Sequence, residues 1–141
     1  MQRISLSSAA IVQIARAVRA AFPEEACGLL VGAADRVRLF RPLRNTARDR
    51  RRVRFEIAPA DYRAIERAAA AKKLTVLGVF HSHPATPAVP SETDAAFIAT
   101  WPDWVHVIAR VDVGPKGPAM GEIRAYTGRG RKIVEVPVGV S

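Results

Sequence analysis

The chain has 141 residues, 49% of them apolar, which allows one domain with one sizeable core. No stretch reaches the roughly 18 consecutive apolar residues of a membrane span, and the single cysteine, Cys27, excludes an internal disulfide. Net charge is +9, from 22 Lys and Arg against 13 Asp and Glu, and the basic residues include the run "RDRRRVR" (48–54). Such a balance admits an acidic partner or nucleic acid. The few aromatic residues do not interleave with the basic run, which argues against a single-strand stacking platform.

The N-terminus has Arg3, an apolar run and a small-x-small pattern, as a secretory leader would. Gln13, Arg16 and Arg19 break that run, and the remaining spacing is helical, so the chain is read as cytoplasmic. Ile11, Ala15, Val18 and Phe22 fall on one face of a helix over 7–22, capped by Ser7 or Ser8 and stopped by Pro23. "ACGLLVG" (26–32) is short enough for a buried strand, and "RVRLFRPL" (36–43) pairs with it as a hairpin. "RVRFEIA" (52–58) alternates Val53, Phe55 and Ile57 and is expected to be a further strand. A second helix follows over 59–73, capped at Asp61. "LTVLGVF" (74–80), almost wholly apolar, is expected to be a central strand, covered by the helices before and after it. A short helix over 91–101 begins at Ser91, and "WVHVIARV" (104–111) is a strand. "GPKGP" (114–118) is a turn, and 121–128 pairs with 132–138. The fold class is α/β: a single domain with one mixed sheet, two long helices and a short third.

The chemistry gathers in "HSHPATPAVPSETD" (81–94). Residues two apart on a strand point the same way, so His81 and His83 can converge on one point at the strand's end. Zinc takes nitrogen and oxygen ligands, and a catalytic zinc site uses three protein ligands plus water. Asp94 can be the third, brought back by a loop stiffened by Pro84, Pro87 and Pro90. "SETD" is also a capping box, with Ser91 at the N-cap and Asp94 three residues on; a capped helix would hold Asp94 in place. His106 is read as an ordinary half-exposed strand residue and not a ligand. A hydrolytic zinc site also needs a general base. Glu24 and Glu25 lie just before the first apolar strand, and residue chemistry alone does not choose between them.

Together "EACGLLVG" (25–32), "HSHP" (81–84) and "SETD" (91–94) resemble the JAMM motif of MPN-domain metalloproteases. The spacings from His83 to Ser91 and from Ser91 to Asp94 are those of that family. "NTARDRRRVRFEIAPADY" (45–62) is similar to the corresponding segment of short bacterial members, so the likeness covers nearly the whole chain. The resemblance implies that His81, His83 and Asp94 bind Zn2+, that Glu25 is the general acid/base, and that Ser91 donates a hydrogen bond to the developing oxyanion. Glu24 would be a bystander and Cys27 a packed, inert thiol. It further implies hydrolysis of an amide bond after the Gly-Gly tail of a ubiquitin-like or sulfur-carrier protein. That tail is expected to add as a strand beside 52–58, with the Arg run meeting the carrier's body. Two other readings stand beside this one: a non-catalytic MPN-type interaction module, which would hold no zinc, and an Arg-rich nucleic-acid binder.

Overall fold

The structure, a computed structural model, describes residues 1–141. Its elements in chain order are β1 (Ile4–Leu6), α1 (Ser8–Ala21), β2 (Cys27–Ala33), β3 (Arg36–Leu43), α2 (Pro59–Ala71), β4 (Thr75–His83), α3 (Glu92–Thr100), β5 (Val105–Gly114), β6 (Gly117–Arg129), β7 (Lys132–Val136) and β8 (Val138–Val140). All strands join one eight-stranded sheet in the order β7-β6-β5-β4-β2-β3-β1-β8. The sheet is mixed, with β4 and β5 parallel at its centre and β2 antiparallel to both β3 and β4.

The expected strand over 132–138 is divided. Proline has no N–H for a ladder, and Pro137 separates β7 from β8. Those two strands form opposite edges of the sheet although one residue joins them. The sheet must therefore curl until its edges nearly meet, and the Ile4 N–H donates to the Pro137 carbonyl (3.0 Å) at that seam. Neither β1 nor β8 was evident in the sequence, since three residues carry too little alternation to read.

Helix α1 packs inside the curl. Its Ala10, Ile14 and Val18 are buried among Ile4, Phe40, Phe80 and Val107. Ser7 caps it, its Oγ accepting from the Ala10 N–H at 3.0 Å. Helices α2 and α3 share the opposite face: Ile65 and Ala69 of α2 cover Leu29, Val31 and Val79, and Ile98 of α3 packs with Ile108 and Tyr126. Strand β4 is thus covered on both faces as expected, but α1 covers one of them, not the helices that flank β4 in sequence. Helix α2 has Ala58 at its N-cap with no side-chain bond, and Asp61 lies in its first turn instead of capping it. Asp61 there still favours the helix through the dipole.

Residues 52–58 form no strand. A turn spans 51–53 and the rest is irregular. Asn45 takes the hydrogen bonds a sheet neighbour would take. Its Nδ2 donates to the Arg54 carbonyl (2.9 Å), and its Oδ1 accepts from Ala47 (3.1 Å) and Glu56 (3.2 Å) N–H groups. Alternation puts Val53, Phe55 and Ile57 on one side; Phe55 and Ile57 do pack together on the α2 cluster, but Val53 is exposed because the turn over 51–53 breaks the period.

Close approach of β4 to β5 is set by Gly78, where an added Cβ would overlap the Val105 carbonyl. No side-chain rotation relieves a clash with backbone, so Gly78→Ala should cost about 2–4 kcal/mol. A lowered urea midpoint with an unchanged slope would check this.

Candidate active site

β4 ends in "HSH", and its period of two sends His81 and His83 to the face shared by α2 and α3, with Ser82 on the other. Ser82 is fully buried and grips the start of β2: its N–H donates to the Ala26 carbonyl (3.0 Å), and its Oγ accepts from the Ala26 N–H (2.8 Å). Glu25 is thereby held next to the two histidines. Its own N–H donates to the Arg51 carbonyl (2.7 Å), and its carbonyl accepts from Asn45 Nδ2 (3.4 Å).

The loop from Pro84 to Pro90 returns the chain to the N-terminus of α3. Ser91 caps that helix in a complete capping box: its Oγ accepts from the Asp94 N–H (3.1 Å), and its N–H donates to Asp94 Oδ2 (3.0 Å). The hydroxyl hydrogen of Ser91 is committed to neither bond. Asp94 then meets both histidines. Its Oδ2 lies 2.9 Å from His83 Nε2 and its Oδ1 lies 3.2 Å from His81 Nε2, while the two Nε2 atoms are 3.2 Å apart. One ligand atom from each of the three residues lies within 4.8 Å of the others, and all three side chains are buried.

A metal ion fits this arrangement. His83 Nδ1 is 2.7 Å from the Pro87 carbonyl, which can only accept, so Nδ1 carries the proton and the Nε2 lone pair faces the cluster. Two imidazole nitrogens and a carboxylate converging on one buried point form an acceptor-rich set, which a cation would satisfy. Phe55 stacks on His81 with ring centroids 4.7 Å apart and holds that ring from the loop side.

The electrostatics follow from burial and crowding. Burial raises the Asp94 carboxyl, but hydrogen bonds to His81 and His83, the His81 charge and the Ser91 amide outweigh it and hold the group well below the usual carboxylate range. His81 is lowered because burial outweighs its contact with Asp94. Burial also works against the charge of His83, but Asp94, the Pro87 carbonyl and Glu25 together raise it. Glu25 is 3% exposed, and its Oε1 has no hydrogen-bond partner. Burial, opposed by the His83 charge and reinforced by Asp94, pushes it to about 8. An unpaired buried carboxyl of this kind is costly and is characteristic of sites where protons move.

The other residues singled out in the sequence are placed as follows. Glu24 is part-exposed and pairs with Arg51 (3.0 Å). It tethers the 46–57 loop, and Arg51 also reaches the Ala47 carbonyl (3.1 Å). Cys27 is buried, donates weakly to the Leu43 carbonyl (3.6 Å), and is pushed to about 12 by burial and by Glu25. It is therefore no thiolate nucleophile. His106 is 1% exposed and not half-exposed, because α3 and the turn after it cover β5 there. Its Nε2–H donates to the Trp101 carbonyl (2.9 Å), and it stands outside the His81–His83–Asp94 cluster. The sequence reading missed what three residues do at the site: Asn45, Phe55 and Ser82. Only Asn45 had a visible signal, as a side chain suited to bonding nearby backbone after a strand end.

Beside the cluster runs a groove of about 850 Å3 between the 46–59 segment and α3, lined by Thr46, Arg50, Arg54, Phe55, Thr93 and Phe97 among others. On its loop wall, Glu56 is bonded through its N–H to Asn45 and through its carbonyl to Thr46, while the main-chain groups of Phe55 and Ile57 have no partner in the chain.

Known proteins resemble this chain. A desampylase of Haloferax volcanii is 33% identical over 120 residues, covering 84% of this chain and 79% of that protein. A CysO-cysteine peptidase of Mycobacterium bovis is 31% identical over 118 residues, covering 84% and 77%. The solution structure of a protein from Desulfitobacterium hafniense superposes with a TM-score of 0.81 at 28% identity, covering 98% of this chain and 92% of that one. The family described as prokaryotic homologs of the JAB domain matches residues 7–127, and with the motif residues gathered at one buried point, the chain belongs to that family.

Proposed function

We propose that this chain is a zinc peptidase that hydrolyses an amide bond at the C-terminal tail of a ubiquitin-like or sulfur-carrier protein. The observation that carries the reading is the convergence of His81, His83 and Asp94 beside a buried, unpaired Glu25 carboxyl. Relatives named desampylase and CysO-cysteine peptidase support peptidase chemistry on such proteins. No helix is long and apolar enough to cross a membrane, and the reading places the protein in the cytoplasm.

His81, His83 and Asp94 would hold the ion, and the N2O donor set suits zinc. When bound, zinc supplies a Lewis acid that polarises the carbonyl and lowers the pKa of water. The chain's own residues do the rest. Glu25 takes a proton as the nucleophile attacks and returns it to the leaving amine, a task suited to a buried carboxyl with an unpartnered oxygen beside the cluster. The uncommitted hydroxyl hydrogen of Ser91 is available to the carbonyl oxygen as charge builds there. A tail ending in Gly-Gly can press its backbone into the cleft. The unpaired main-chain groups of Phe55 and Ile57 offer it hydrogen bonds by strand addition, so the strand expected over 52–58 would form only with substrate. The carrier-docking role expected of the whole Arg run narrows to Arg50, which lines the groove, and the exposed Arg52. Arg51 serves the loop instead.

Metal analysis should find one zinc per chain in the parent and a large loss in His83→Ala; equal zinc in both would defeat the assignment. Glu25→Gln should keep the metal and lose hydrolysis by about 1,000-fold or more, since it removes a proton acceptor and no ligand. That variant should also be more stable when metal-free. Glu25 is raised from 4.5 to about 8, so between those values the folded chain retains a proton that the unfolded chain has released. Stability therefore falls as pH rises across that window. The Tm advantage of Glu25→Gln should grow through it and level off above, as scanning calorimetry at several pH values would record. Neutralising Arg50 and Arg52 should lower kcat/KM for a full carrier conjugate, more at low salt than at high, and barely change it for a short Gly-Gly peptide. An equal loss on the peptide would mean that these arginines support the cleft itself.

A further inference from the structure

The loop from Pro84 to Pro90 has no regular structure, yet it supplies the carbonyl that fixes the His83 ring. Pro84, Pro87 and Pro90 have no N–H to donate. Ala85, Thr86, Pro87 and Val89 are exposed, and Ala88 alone is buried, at 0% exposure. Three hydrogen bonds within the chain hold the loop. The Val89 N–H donates to the Pro87 carbonyl (2.8 Å), His83 Nδ1 donates to the same carbonyl (2.7 Å), and Tyr126 Oη donates to the Ala88 carbonyl (2.6 Å).

Tyr126 stands in β6 beside His106 of β5, and it packs with Ala88, Ile98 and Ile108. It is 6% exposed. A phenylalanine would fill the same space and leave the Ala88 carbonyl without a donor, so the hydroxyl has a task that the ring does not.

The three bonds form a relay. A peptide group is planar, so the Ala88 carbonyl and the Val89 N–H belong to one rigid plate. Tyr126 grips that plate at its oxygen, and the plate's N–H grips the Pro87 carbonyl. The Pro87 carbonyl has two lone pairs, and the second accepts from His83. A peptide whose oxygen accepts a hydrogen bond is also a better donor at its nitrogen, so the first bond strengthens the second. Without the hydroxyl the plate is free to turn, because the residues on either side of Ala88 are exposed and the prolines offer no other bond. The Pro87 carbonyl then loses the partner that aims it at His83 Nδ1.

We infer that Tyr126 is a positioning residue of the candidate metal site: through Ala88, Val89 and Pro87 it holds His83 with Nδ1 protonated and the Nε2 lone pair facing the cluster. The inference rests on the zinc reading above. It completes the support of the three ligands, since β4 places His81 and the Ser91 capping box places Asp94. Outer partners of this kind commonly tune metal affinity.

The test compares zinc affinity, by competition with a chelator, in the parent, Tyr126→Phe and Val18→Ala. Val18 is buried in the cluster around α1 on the far face, so its truncation lowers Tm without touching the loop. Visible bands of each protein loaded with cobalt(II) in place of zinc report the ligand geometry. Tyr126→Phe should weaken zinc about 10- to 100-fold and shift the cobalt bands, and Val18→Ala should do neither. Val89→Pro, at an exposed position, deletes the middle donor and leaves Tyr126 intact. It should weaken zinc to a similar degree, and Tyr126→Phe added to it should weaken zinc no further, because both cut one relay. An affinity in Tyr126→Phe equal to the parent's, unmoved cobalt bands, the same loss in Val18→Ala, or additive losses in the double variant would each overturn the positioning role. A parent that binds no zinc overturns the peptidase reading, and the positioning role with it. A parent that binds zinc beside an unaffected Tyr126→Phe overturns the positioning role alone.

Discussion

The last rung of the β2–β4 ladder is the constraint on which the site depends. Ser82 binds Ala26 twice, once through its main-chain N–H and once through Oγ, which stands where a backbone carbonyl would otherwise accept. Because side chains alternate along a strand, a residue that grips the neighbouring strand from one face leaves its two neighbours pointing together from the other. One bonded pair therefore aims His81 and His83 at a common point and anchors the residue next to Glu25. The parallel strand β5 on the other side of β4 makes that end of the sheet dry. Burial there strengthens every electrostatic interaction and raises the cost of each unpaired group.

That cost is visible in the site and is offset elsewhere. Glu25 has an unpartnered oxygen, His81 Nδ1 has none either, and three acceptor-bearing groups crowd one buried point. An apolar replacement would be more stable, which is the usual relation between a working site and its fold. The compensation comes from the large apolar cluster around α1 on the far face and from a sheet whose edges are joined across Pro137. Rigid support matters more than stability alone. The capping box holds Asp94, the Pro87 carbonyl holds the His83 tautomer, and Phe55 holds the His81 ring.

A second theme is the use of irregular chain where a strand was expected. In 45–57, Asn45 replaces a sheet neighbour, and Arg51 with Glu24 ties the loop to the residue next to Glu25. The segment stays ordered while keeping main-chain groups of Phe55 and Ile57 unpaired on the groove side. An edge left open in this way favours an extended partner, at the risk of unwanted pairing, and the charged, twisted loop around it limits that risk.

The sequence by itself determined what depends on local periodicity and spacing. The α1 helix with its cap at Ser7 or Ser8, the β2–β3 hairpin, the apolar β4 strand, the shared face of His81 and His83, and the Ser91–Asp94 box all follow from the 3.6 and 2.0 residue periods and from cap chemistry. So did the shared side of Phe55 and Ile57, though not that of Val53, because alternation reports sidedness only as far as the chain stays extended. Tertiary structure decided what depends on partners distant in sequence. Glu25 reaches the histidines through a contact across 56 residues, between Ala26 and Ser82. The 52–58 segment became a loop because Asn45 took its hydrogen bonds, and His106 was buried because α3 folded over it. The segment 132–140 split between two edges because the sheet had curled to bring those edges together. Local pattern states which way a side chain faces; only packing states what it meets.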